Sequence, residues 1–143
     1  MANSKISALT AAAALTGAEQ FAIVQSATTK VDDLNTIKNF VNVQLVASSA
    51  TVTPTHENDE VVITAQAVGL TLANPSGTAL QGQVMLIRIK DNATTRAITY
   101  GSEYRALGVT LPTTTTVSKT HYLGMIYNAT DTKWDVIGVN EEA

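Results

Sequence analysis

The sequence predicts a mainly β protein: an antiparallel sandwich of jelly-roll type, preceded by an extended arm, a short hairpin and one short helix. Three observations predict it. The segment Gly82–Asp91 alternates with the two-residue period of a strand, Met85, Ile87 and Ile89 on one face and Arg88 and Lys90 on the other. Further strand-like runs, Arg96–Tyr100, Tyr122–Tyr127 and Lys133–Val139, follow between breaks rich in Gly, Asn, Asp, Pro and Thr. Thr is the most frequent residue and Ala the next, with only 5% aromatics, and small or β-branched side chains suit stacked strands better than bulky helical cores.

At 143 residues the chain has room for one domain and an appendage, and the division expected is an attachment region over 1–42 and a β-domain over 43–143. The net charge of -3, with nine scattered basic residues, argues against a nucleic-acid surface, which needs clustered cations to displace counterions. With no cysteine, disulfides, thiolate metal sites and cysteine nucleophiles are excluded. The apolar run Ala11–Leu15 is too short for a membrane span or a signal-peptide core, so neither export nor membrane insertion is expected.

Along the chain, residues 1–16 carry Ile6, Leu9 and Leu15 in a background of Ser, Thr and Ala. That is too little apolar surface to offset a backbone ordering cost of roughly 1–2 kcal/mol per residue, so the arm is expected to order only against a partner. Glu19–Val31 reads as a hairpin with Phe21 and Ile23 on one face. Asp32 is placed to cap a helix over Asp33–Val41, where Leu34, Ile37 and Val41 recur at helical spacing. Strand candidates then carry Val43, Leu45 and Ala47, Val52, Val61 and Ile63, and Val68, Leu70 and Leu72. The polar tract His56–Glu60 and the tetrad Asn74–Gly77 read as turns.

Two blocks carry a family resemblance. Ser4–Leu9, Ala14–Glu19, Val24-Gln25, Thr29–Val31 and Leu34–Ile37 form the first, with Thr10 where the family has proline. The second is the ordered set Asn74-Pro75-x-Gly77, Gly82-Gln83, Ile87–Asp91, Arg96–Tyr100, Tyr104-Arg105, Leu111–Thr113, Lys119-Thr120, Tyr127-Asn128 and Lys133–Asp135. Together they resemble virion structural proteins of tailed bacteriophages, of the head-fibre and tail-fibre type. The family's Asp-Asn-Gly turn is Asp91-Asn92-Ala93 here and its aromatic-Gly is kept as Tyr100-Gly101; the Ala93 departure predicts a longer or differently wound hairpin loop, because the tight turn favours glycine where φ is positive.

The resemblance implies a homotrimer located in the virion and assembled in the bacterial host cytoplasm. It would be bound to the capsid or to other virion proteins through the N-terminal region, with a β-domain projecting outward. Ile6, Leu9, Leu15, Phe21 and Ile23 are the residues expected to serve attachment or inter-subunit packing. A tail-fibre or receptor-binding protein and a lectin-like carbohydrate-binding module are the alternatives, with a host surface glycan as ligand.

Candidate chemistry is sparse, and the chain is expected to be no enzyme and to need no cofactor or metal. His56 and His121 have no triad or metal-motif context, and read as a solvated loop residue and a strand-end surface group. Glu57, Asp59 and Glu60 lack a calcium-loop register. Tyr104 and Trp134 are the candidate distal ligand contacts, as sugar-stacking rings, although Trp134 in phase with Val136 equally fits the core. Thr113–Thr116 reads as a solvated loop.

Overall fold

The computed structural model describes residues 20–25, 28–33 and 41–143, and the chain divides into two compact units, Met1–Phe40 and Val41–Ala143. In the first, β1 (Gln20–Gln25) pairs antiparallel with β2 (Thr28–Asp33), Phe21 opposite Asp32 and Ile23 opposite Lys30. This is the expected hairpin. Its second strand runs through Asp32 and Asp33, where a helix was expected to start, and Val41 at that helix's far end is not helical. The intervening residues 34–40, like the arm with Ile6, Leu9 and Leu15, lie outside the described residues.

The second unit is built from β3 (Val43–Val46), β4 (Thr51–Val52), β5 (Glu60–Gln66), β6 (Leu70–Leu72), β7 (Val84–Asp91), β8 (Ile98–Tyr100), β9 (Tyr104–Ala106), β10 (Thr120–Asn128) and β11 (Lys133–Glu141). From β3 to β8 the chain alternates between two sheets. One is six-stranded in the order β3-β5-β7-β10-β11-β9, the other three-stranded in the order β4-β6-β8. Because alternate strands return to the same sheet in the same direction, β3, β5 and β7 are parallel neighbours, as are β4, β6 and β8. Between the strands of this unit antiparallel pairing occurs at β7–β10 and β10–β11, with an isolated antiparallel bridge at Ala97 and Thr114, and β9 closes the far edge parallel to β11.

The sheets are therefore mixed, which corrects the expected antiparallel, jelly-roll pairing. A Gly-, Asn- or Pro-rich break fixes only that the chain bends. Here most breaks carry it to the other sheet instead of back along the same one. The clearest case is β7 and β8, read from sequence as neighbours across an Asp-Asn turn: β8 pairs with β6 in the other sheet, and β7 pairs with β5 and β10.

Both sheets bury one face in a common core. Val61, Ile63, Met85, Ile87, Ile89, Leu123 and Met125 come from the six-stranded sheet and Val52, Leu70, Leu72 and Ile98 from the other. Their positions follow the two-residue period, so Arg88 and Lys90 stand half-exposed on the opposite face, as the sequence predicts. β3 has the phase reversed from what apolarity suggests: Val43 and Leu45 face solvent.

Two backbone positions explain motif residues. A side chain at Gly101 would collide with the backbone nitrogen and side-chain amide of Asn74, whose Oδ1 accepts a hydrogen bond from Glu103 N at 3.0 Å. Ala93 adopts φ 56°, the left-handed conformation that glycine fills at no steric cost. Alanine at this position thus adds strain to a left-handed turn.

Two predictions follow from this packing. Ile87→Asp places a carboxylate at a fully buried position, at a cost of several kcal/mol against a total stability of roughly 5–15 kcal/mol, and should abolish cooperative unfolding, whereas Arg88→Ala should cost about 1 kcal/mol or less. Urea titrations in which both variants unfold like the parent would reverse the assigned strand phase. Ala93→Gly should stabilise the domain by about 0.5–1 kcal/mol, the relief of a left-handed alanine less glycine's larger unfolded-state entropy, read as a higher denaturation midpoint.

Candidate functional site

Phe21 and Ile23 lie in β1, in register with Asp32 and Lys30. Tyr104 and Trp134 are both in the core, Trp134 only 1% exposed, so neither ring offers an open face for stacking on a sugar. The Tyr104 hydroxyl donates to Ala73 O at 3.0 Å and its ring meets Tyr100 edge-on at 5.8 Å, while Trp134 packs on Tyr127 at 5.2 Å. Burial pushes both the Tyr100 and Tyr104 phenols above their ordinary range. Parallel pairing of β9 and β11 sets Tyr104 directly beside Trp134, an adjacency their separation in sequence hides.

His121 is buried, which corrects its reading as a surface group. It lies on the inward phase of β10 with Leu123, and its Nε2 accepts a hydrogen bond from Thr116 N at 3.1 Å. His56 is half-buried, its Nδ1 3.2 Å from Ser76 O and its ring occupying the space that a side chain at Gly77 would need. Neither imidazole shares a hydrogen bond with a side-chain hydroxyl among the described residues. In the acidic tract, Asp59 accepts from Asn42 N at 2.9 Å and Glu60 pairs with Arg88 at 3.3 Å. No trio of potential metal ligands converges among the described residues.

The threonine run, expected to be solvated, is instead anchored. Thr115 is buried and donates to Asp91 Oδ2 at 2.6 Å, and Thr94 N and Ser118 N donate to Asp91 Oδ1, each at 2.9 Å. Asp91 therefore holds two loops at the end of β7. Burial works to raise its pKa, but these hydrogen bonds and the charge of Arg96 outweigh it and hold the carboxyl below its ordinary 3.8. A second node joins Arg105 to Asp135 through Nε at 2.6 Å and Nη2 at 3.0 Å, with Asp131 at 2.9 Å from Nη1. The guanidinium beside Asp135 keeps that carboxyl low as well.

Two concave features remain. A polar cleft of about 100 Å³ is lined by His56, Ser76, Gly77, Glu103, Tyr127 and Trp134. A groove of about 320 Å³ runs over the outer face of the six-stranded sheet, between Val62, Thr64, Arg88, Lys90, Tyr122 and Glu142. In it Arg88 lies 5.5 Å from the Tyr122 ring centroid and Lys90 pairs with Glu142 at 2.9 Å. Each cation there is matched by an acid, so the groove presents alternating charge and no bare anion site.

The sequence reading missed Asp91, the Arg105–Asp135 pair and this outer groove. The usable signal was the charge of Asp91 at a position in phase with Met85, Ile87 and Ile89, where an acid is costly unless hydrogen-bonded. A scan against protein-family models, a search of curated proteins and a search of solved structures each found no match to this chain.

The Asp91 node makes a pH prediction. A carboxyl with a depressed folded-state pKa contributes stability that is complete above its unfolded value and is lost as pH falls through the lower folded value. The Asp91 share should accordingly be intact above pH 3.8 and fade progressively below it. Asp91→Asn should lower the melting temperature near neutral pH and narrow its gap to the parent below that window. A gap that stays constant down to the lowest pH at which both proteins fold would show that the charge on Asp91 contributes nothing.

Proposed function

We propose that this chain is a structural protein of a bacteriophage virion, a trimeric head-fibre subunit anchored to the capsid by its N-terminal region and projecting a sandwich-like β-domain outward. The observation that carries this reading is the ordered resemblance of both blocks, Ser4–Ile37 and Asn74–Asp135, to such fibre proteins. The mainly β domain is compatible with it, and the resembling positions fall where the fold is held: Gly101 against Asn74, Tyr104 on Ala73, Asp91 under two loops and Asp135 on Arg105. Trimerisation is supported by strand edges that carry no further strand among the described residues. β3 and β4 are outermost in their sheets, and an unpaired edge invites pairing or cover. The reading is adhesive and non-enzymatic.

A receptor- or glycan-binding role, as in a tail fibre, is favoured by one observation, the groove beside Arg88, Lys90 and Tyr122. It differs from the first reading in placing a ligand on the projecting domain.

Deleting residues 1–16 should leave the β-domain folded by circular dichroism and abolish incorporation into virions. Ile6, Leu9 and Leu15 can each contribute roughly 1.5–3 kcal/mol when buried on a partner, and several copies acting together multiply that through effective concentration. Normal incorporation of the truncated chain would move the anchor to the segment 17–41.

A further inference from the structure

The outer face of the six-stranded sheet carries several exposed aliphatic side chains beside its ion pairs. Registers place Val43 and Leu45 of β3, Glu60 and Val62 of β5, Val84, Leu86 and Arg88 of β7 and Ile126 of β10 on the face opposite the core. Val43, Leu45, Val84 and Leu86 are 47%, 71%, 59% and 36% exposed. Ile137, the extra residue where the β10–β11 register shifts, adds 58% exposure on β11. Contiguous apolar surface of this kind on a soluble domain marks a contact.

We infer that this face is where a second copy of the chain docks. The inference rests on the oligomeric reading above only in that copies of the chain associate; like faces packed on each other close as a pair, so it assigns a pairwise contact and not the count of three. Three features select a copy of the same chain as occupant.

The first is shape: the face is a pleated sheet surface with small aliphatic ridges, and the surface that packs best on it is another such sheet at about 10 Å. The chain carries one. The second is area. Six strands spaced about 4.8 Å apart, with β7 about 26 Å long, span roughly 600 Å² in projection, close to the ~800 Å² per partner of a standard interface. The third is charge. Glu60 pairs with Arg88, Lys90 with Glu142 and Arg105 with Asp135 within the same sheet, so the face is internally neutralised. The face therefore adds no surplus of either sign to a contact between two copies of a chain of net charge -3, and nothing on it selects a strongly basic or acidic stranger.

The test is light scattering on the full-length chain and on Val84→Lys and Leu45→Lys, with far-ultraviolet circular dichroism as the folding control. Val68→Lys, exposed at the corner between β5 and β6 and off this face, is the matched control. Expected are a parent mass that is a multiple of 15.1 kDa, retention of that mass in Val68→Lys, and a fall to 15.1 kDa in both face variants. Because the chain has no cysteine, maleimide labelling gives a second measurement that leaves the face uncharged: Val84→Cys should react at least tenfold more slowly than Val68→Cys. A multimer that survives both lysines, or equal labelling rates, overturns this surface and leaves the oligomeric reading standing. A parent of 15.1 kDa removes both, while attachment to virions is decided separately by the incorporation assay.

Discussion

Parallel strands cannot be joined by a two-residue hairpin, and everything in the β-domain depends on how the chain meets that constraint. It crosses to the opposite sheet and back, so each return brings corners whose backbone groups are pulled toward the interior and must find partners there. Two buried polar side chains supply them. Gln66, with no exposed surface, donates through Nε2 to Ser49 O and Val68 O and accepts from Ser49 N, tying the β3–β4 corner to the β5–β6 corner. Asp91, opposite Gln66 in the β5–β7 register, does the same for the β7–β8 corner and the segment 113–118. That segment in turn covers the edge of β8, where Ile98 N donates to Thr113 O and Thr115 N to Arg96 O. Gln66, Asp91 and Thr115 thus form a column of buried polar neighbours beside a core that holds Tyr104 and Trp134 as well as aliphatic side chains.

The same alternation that builds the core also separates the two faces of the six-stranded sheet. Inner positions are closed and mostly apolar, while outer positions mix exposed aliphatics with ion pairs of matched sign. Such pairs contribute little stability when half-exposed. Their effect is to orient long side chains and neutralise the face. Distinct roles then fall to distinct surfaces: the interior polar column to fold the domain, and the outer face to meet another surface.

Much of the fold was legible in the residues. The two-residue period placed Met85, Ile87 and Ile89 inside and Arg88 and Lys90 outside, and the strand at Lys133–Val139 put Trp134 in the core with Val136. Strand direction was not legible, because alternation is identical for a strand paired parallel or antiparallel. The buried state of His121 and Thr115 was hidden too, since each is polar and lies beside turn-forming residues, and only the approach of Thr116 N and of Asp91 makes their burial tolerable. For the candidate site, Tyr104 and Trp134 were read as distal ligand contacts, but their rings face inward.

The sequence by itself determined that this is a β-rich chain, which apolar residues of β7 are buried, and where the chain bends, because periodicity and turn chemistry act over a few neighbouring residues. Only the tertiary structure decided which strands meet, that most of them run parallel, that Asp91 and Gln66 hold the corners, and that Val43, Leu45, Val84 and Leu86 share one open face. Those outcomes depend on groups tens of residues apart being brought within hydrogen-bonding and packing distance, and no local pattern encodes such a distance.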